Sequence, residues 1–229
     1  TLFEWQTDAL AAAVINNYHV EGAAAGTAAT TATTRLTNQT QISKKVVEVT
    51  GTHETVDNAG KKSELAHQLA KASKELKRDM EGSLLADNAA AAGNATTARE
   101  TRGAAHWITT NVVDAGSSST HAAMVELITA MSGRADAVRT VADNNMTIQN
   151  SVDVYVSDFG TYNIVMDRFC DQDVVYFLDH DMWSVNYLRD FQTVDIAKDG
   201  DSEKKMLLVE YGLHCGNEAA NAKIRYTTG

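Results

Sequence analysis

Asp179-His180-Asp181 sets three metal-capable side chains side by side. Carboxylate and imidazole donors suit a divalent cation, but neighbouring residues of a strand point to opposite faces, so the three cannot easily share one ion. The triplet reads as a polar strand end, and His214-Cys215 fails as a ligand pair on the same ground. Cys170 and Cys215 fit no Cys-x-x-Cys metal or redox spacing and read as reduced core or strand residues. The other histidines stand singly, with no His-x-x-x-His pair and no Gly-Lys-Ser/Thr phosphate loop. The 94–185 region holds no defensible nucleophile, acid/base pair or metal constellation. The expectation is therefore a protein that is not an enzyme, with no catalytic, cofactor-binding or metal residues and no cofactor.

Composition narrows the classes further. The chain has 229 residues, 44% hydrophobic and 22% charged, enough for one folded domain or two small ones. A net charge of −10 argues against a protein that grips nucleic acid, because such binding rests on Lys and Arg neutralising phosphates. It does not exclude enclosing nucleic acid. No window approaches the roughly 18 apolar residues of a membrane span, and the opening Thr-Leu-Phe-Glu-Trp lacks a signal peptide's basic start and apolar middle. The chain reads as soluble and intracellular, with no membrane partner. It starts at Thr1 rather than Met, so a preceding piece was removed or lies outside the numbering.

Positioning elements follow from the patterns. Leu2, Phe3 and Trp5 form an apolar anchor, and Leu10, Val14 and Ile15 have the spacing of a short helix. Gly22–Thr34, all Ala, Thr and Gly, has no period and too little side chain to bury, so it reads as an extended arm. Ile42–Thr50 is β-rich, Gly51 marks a turn and Thr52–Val56 can return, making a ribbon with Lys44, Lys45, Lys61 and Lys62 at its base. Ser63 caps a long helix reaching Asp87, with an apolar stripe of Leu65, Leu69, Ala72, Leu76, Met80 and Leu84. On its other face Lys71–Glu75 and Lys77–Glu81 are spaced to pair. After a loop around His106-Trp107-Ile108, Ser117–Ser119 opens a second amphipathic helix ending at Gly133. Strands are expected at 152–157, 163–169, 174–178, about 182–189, Lys204–Cys215 and Ala220–Tyr226, with turns at Asp158-Phe159-Gly160 and Lys198-Asp199-Gly200-Asp201. The class is α+β.

Ten collinear blocks then carry a resemblance over nearly the whole chain. Among them are Phe3-Glu4-Trp5-Gln6-Thr7-Asp8, Thr34-Arg35-Leu36-Thr37-Asn38, Val47-Glu48-Val49-Thr50-Gly51-Thr52, Ala59-Gly60-Lys61-Lys62-Ser63-Glu64-Leu65-Ala66 and Lys74-Glu75-Leu76-Lys77-Arg78-Asp79-Met80-Glu81. Later blocks include Val154-Tyr155-Val156-Ser157-Asp158-Phe159-Gly160, Leu188-Arg189-Asp190-Phe191 and Ala197-Lys198-Asp199-Gly200-Asp201-Ser202-Glu203-Lys204. Together they resemble the major capsid proteins of tailed bacteriophages, whose fold is shared with the herpesvirus capsid floor and encapsulin shells.

The resemblance implies an N-terminal arm (1–38), an extended loop (39–62), a peripheral domain (63–112 and 186–229) with spine helix 63–87, and an axial domain (113–185). It implies self-assembly into hexameric and pentameric capsomers of an icosahedral shell, built in the host cytoplasm. The shell would enclose double-stranded DNA without sequence-specific binding, with scaffold, portal and decoration proteins as further partners. Intersubunit contact candidates are Phe3, Trp5, Arg35, Lys44, Lys45, Lys61, Lys62, Glu75, Arg78 and Glu81. Some shells of this fold join a loop lysine to a neighbour's asparagine, for which Asn217 or Asn186 would serve. That reaction needs an unprotonated lysine in an apolar pocket, which nothing in the sequence marks, so the lysines read as solvated or salt-bridged. The alternatives are an encapsulin-like compartment shell, an enzyme in the 94–185 region, and a fibrous or adhesive surface protein.

Overall fold

A computed structural model of the chain describes residues 1–8, 10–26, 30–56, 60–114, 154–157, 160–165, 167, 169–171 and 173–225. In chain order these form β1 (Leu2–Thr7), β2 (Thr34–Gln39), β3 (Gln41–Thr50), α1 (Gly51–Thr55), α2 (Glu64–Leu85), α3 (Ala104–Trp107) and β4 (Val112–Asp114). There follow β5 (Val154–Ser157), β6 (Gly160–Asn163), β7 (Val174–Phe177), β8 (Trp183–Ile196), β9 (Ser202–Cys215) and β10 (Ala222–Arg225). Single 3-10 turns precede β8 and β10.

The organising unit is α2 laid on an antiparallel sheet of order β3-β9-β8. Ser63 starts the helix as expected, its hydroxyl accepting from the Ala66 amide at 3.1 Å. Leu65, Ala72, Leu76 and Met80 are buried along one stripe. The N-terminal half of that stripe packs on Val47 and Val49 of β3, and the C-terminal half on Leu207, Val209 and Tyr211 of β9. Each fully buried side chain of this size contributes roughly 1.5–3 kcal/mol, so this layer dominates the stability of the fold. β9 is the central strand and is buried over most of its length, whereas β8 is largely exposed. Gly200, at φ 95°, supplies the left-handed residue in the turn between them.

The ribbon is corrected. β3 pairs along its whole length with β9, from Gln41 opposite Tyr211 to Thr50 opposite Ser202, and residues 51–55 form one turn of helix instead of a returning strand. The Gly51 amide donates to the Asp201 carbonyl, so the chain is held at the β8–β9 turn. A Cβ at Gly51 would run into the Asp201 carboxylate. Sequence proximity suggested a local hairpin, but the longer apolar strand β9 offers ten paired positions and wins.

The arm expected over 1–38 is paired to itself near its two ends. β1 pairs antiparallel with β2, from Leu2 opposite Gln39 to Thr7 opposite Thr34, so the residues between them form a loop tethered at both ends. The helix expected from Leu10, Val14 and Ile15 is absent from the described residues there, which carry only turns. A helix that short is marginal without a surface to bury its stripe, and Leu10 and Ile15 are 100% and 94% exposed.

A smaller sheet, β4-β10-β7, gathers Val113, Val175, Phe177, Ala222 and Ile224 into a second core. β10 is parallel to β4 and antiparallel to β7. β5 and β6 pair antiparallel with Ser157 opposite Gly160. The strand expected over 163–169 is not seen among the described residues there: Asn163 ends β6, and Ile164 and Val165 lie beyond it in irregular chain and are exposed. The helix expected from Ser117 to Gly133 lies outside the described residues. No described helix is long and apolar enough to cross a membrane.

Candidate functional site

Two aromatic candidates pin β1 to its own chain. The Trp5 indole donates to the Cys215 carbonyl at 2.9 Å, and its ring lies 4.6 Å from His214 and 5.6 Å from Trp107. Phe3 stacks on Trp5 at 5.5 Å and covers Gly212, where a Cβ would meet its ring. These contacts fasten the β1–β2 ladder to the C-terminal end of β9. Burial there holds the His214 imidazole below its usual range. Arg35 meets Glu4 across the ladder at 3.4 Å with both side chains well exposed, a pair of little energetic weight.

The four lysines do not form one cluster. Lys45 faces α2 and bonds Asp79 at 2.7 Å, a contact that raises its pKa. Lys44, its neighbour on β3, is exposed and has no ion pair among the described residues. Lys61 bonds Glu64 at 3.1 Å at the start of α2, and Lys62 is exposed beside it.

On the helix, Glu75 approaches Lys71 at 3.9 Å. The expected Lys77–Glu81 pair is not made: Lys77 sits over the Phe191 ring, 5.8 Å from its centroid. Partial burial, and then the neighbouring Asp167 carboxylate, push the Glu81 pKa up. Arg78 is exposed with no ion pair among the described residues. The helix thus presents Lys74, Arg78 and Glu81 outward, while Asp79 is spent on β3.

Asp179 caps the 3-10 turn before β8, accepting from the Asp181 amide at 3.2 Å. Among the described residues no group of three His, Cys, Asp or Glu side chains is placed to hold a metal ion.

The structure adds residues that the sequence reading passed over. Glu210, its side chain 4% exposed, accepts from Arg99 at 2.5 Å, Arg189 at 2.8 Å and the Thr40 hydroxyl at 2.9 Å. Burial alone would raise its pKa, but the Thr40 and Arg189 hydrogen bonds and the two arginine charges outweigh it and hold the group below 4.5. A glutamate inside the apolar run Met206–Leu213 was the available signal. Asn38 is buried and bonds the Leu213 carbonyl at 2.7 Å and the Arg102 amide at 2.8 Å, tying β2 to β9 and to the approach to α3.

What remains outward is apolar and without a partner in the described chain. Leu10, Val14, Ile15, Tyr18 and Val20 of the tethered loop are 70–100% exposed. On the sheet face away from α2, Val46, Met206 and Val194 stand in one cross-strand row, with Val46 55% and Val194 39% exposed. Large exposed apolar surfaces of this kind mark places where a protein meets a partner.

Solved structures place the architecture in a class. The chain superposes over its full length on a structure from Gordonia phage Cozz, with a TM-score of 0.61, 11% identity and 81% of that chain covered. It covers 84% of a chain from the satellite phage P4 procapsid (99% of this chain, TM-score 0.58, 8% identity) and 82% of one from the bacteriophage PhiM1 mature capsid (100%, 0.54, 7%). The fold is the α+β fold of tailed-phage capsid proteins. Over 89 residues the sequence is 48% identical to the major capsid protein of Escherichia phage Phieco32, a stretch that covers 39% of this chain and 25% of that protein. The model of the SU10 major capsid protein family matches residues 1–131 and 117–228, and the chain belongs to that family.

Proposed function

We propose that the chain is a shell subunit whose copies assemble into the icosahedral head of a tailed bacteriophage and enclose its double-stranded DNA. The observation that carries this is the pairing of a capsid-type tile with apolar side chains that the described residues leave in water. The role is structural, not enzymatic. In this reading α2, β9 and most of β8 form the body of the peripheral domain (63–112 and 186–229), β3 of the extended loop (39–62) pairs onto that sheet, and 113–185 is the axial domain crowding the capsomer axis. Residues 1–38 and 39–62 carry contacts between copies, the arm acting as a loop tethered at Thr7 and Thr34. Lys44, Lys62 and Arg78 are the charged candidates left over for neighbours, since Lys45, Lys61 and Glu75 have partners on their own chain. Phe3 and Trp5 act indirectly, by fixing where the loop leaves the tile.

A net charge of −10 suits a wall that DNA slides along without sequence-specific contact. The test is nuclease treatment of particles from infected cells, followed by extraction of the contents. Protected double-stranded DNA is expected; particles filled with a cargo protein instead would overturn the reading in favour of a compartment shell.

A further inference from the structure

α2 has a second long face, turned away from the sheet. At about 100° per residue, His67, Lys71, Lys74 and Arg78 fall within roughly 60° of the helix circumference, opposite the buried stripe of Leu65, Ala72, Leu76 and Met80. All four are exposed. They follow one another at spacings of four, three and four residues, which makes a straight row about 16 Å long. No carboxylate of α2 falls inside that arc.

The helix does carry acids, and the fold draws them off the row. Glu64 is buried beside Lys61, Asp79 bonds Lys45 of β3, and Glu81 turns to Asp167. Glu75 approaches Lys71 only at 3.9 Å. Lys74 and Arg78 have no ion pair among the described residues. In a chain with 30 acidic and 20 basic residues, a line of cations with no interleaved acid departs from the mixed charge of a merely wet helix face.

The other side of the layer is different. Lys45 faces α2, so its neighbour Lys44 points to the far face of the sheet. There Glu48 pairs with Lys204 at 3.2 Å, and the row Val46, Met206 and Val194 is apolar. Among the described residues, only the helix crest offers charge of one sign along a line.

Such a line fits a linear polyanion. Duplex DNA carries one negative charge per about 1.7 Å of its axis, so a phosphate lies within reach of each ammonium wherever the row crosses a strand. Lysine on its flexible stem meets phosphate as a point charge, which positions the duplex without reading bases. A protein surface would have to supply carboxylates in matching single file. We infer that the crest of α2 is where the shell wall touches the phosphate backbone of the enclosed DNA, with Lys71 and Lys74 as the main contacts and His67 extending the row. Arg78 ends the row and keeps the role at a neighbouring copy given to it above. This rests on the shell reading and adds which side of the tile faces inward.

Crosslinking tests it in the assembled protein. DNA-filled particles from infected cells are treated with formaldehyde, digested with nuclease and protease, and searched by mass spectrometry for peptides carrying nucleotides. Lys44 is the internal control, being exposed on the other side of the same layer. Adducts at Lys71 or Lys74 at several times the yield at Lys44 are expected. Adducts chiefly at Lys44, or at none of the three, in particles that contain DNA overturn the contact and leave the shell reading standing. The Lys71→Gln/Lys74→Gln variant should still assemble into particles of normal diameter. A folded variant that no longer assembles would give the row to a contact between copies and overturn the inference. Particles that protect no DNA overturn both readings.

Discussion

Glu210 shows what one residue does in the tile. It joins β9 to β8 through Arg189, to the 91–100 loop through Arg99 and to the start of β3 through Thr40. Glu210→Gln removes the charge between two arginines and should destabilise the subunit by about 2–3 kcal/mol. That is less than the roughly 3–5 of a fully buried pair, because the arginine side chains, 24% and 44% exposed, can rehydrate. Urea unfolding of the dissociated subunit measures it. Glu218 is a second carboxylate held down in pKa: burial raises it, but hydrogen bonds from Thr110 and Thr109 outweigh the burial. For both groups the folded pKa lies below the unfolded value near ~4.3. Their stabilisation is therefore complete above that value and is lost as pH falls through the folded pKa. Unfolding midpoints should hold from pH 7 to about pH 5 and then drop, with a shallower drop in Glu210→Gln. A midpoint that climbs with acid would contradict this.

At the scale of elements, α2 was legible in full, because a cap and a stripe of period 3.6 are local signals that tertiary packing only reinforces. Ser63→Ala should cost about 1 kcal/mol through the lost cap. Leu76→Ala, at a side chain 1% exposed between β9 and the helix, should cost roughly 2–5 kcal/mol. Thermal melts of the two variants check the order; equal losses would mean the helix is held by its ends and not its face. β9 was legible too, since Met206–Leu213 is a largely apolar run that follows the turn Lys198-Asp199-Gly200-Asp201. The partner of β3 was not: strand pairing is a contest among all strands, and the contact of Gln41 with Tyr211 spans most of the chain. The tethering of the arm was not legible for the same reason, since only pairing over a distance reveals that Thr7 and Thr34 meet. Side-chain type marked Lys45 and Lys61 as charged groups able to pair, but that they take Asp79 and Glu64 of their own chain depends on the fold.

At the scale of the whole molecule, the described residues satisfy their internal contacts and leave charged and apolar side chains outward, which the shell reading assigns to neighbouring copies. Arg78 separates the two kinds, being exposed on α2 and unpaired among the described residues. Arg78→Glu should leave subunit stability within about 0.5 kcal/mol while abolishing particle formation. Sedimentation velocity on the same preparation as the melts shows whether those effects part; normal particles would remove Arg78 from the interface. The apolar loop residues Leu10–Val20 and the row Val46–Met206–Val194 make the same demand on a larger area, because the described residues leave both exposed. The central claim is that covering them builds a closed shell. Negative-stain electron microscopy of the purified full-length protein addresses it directly. Icosahedral particles of uniform diameter are the predicted result, and a field of monodisperse monomers or open fibres under assembly conditions would contradict it.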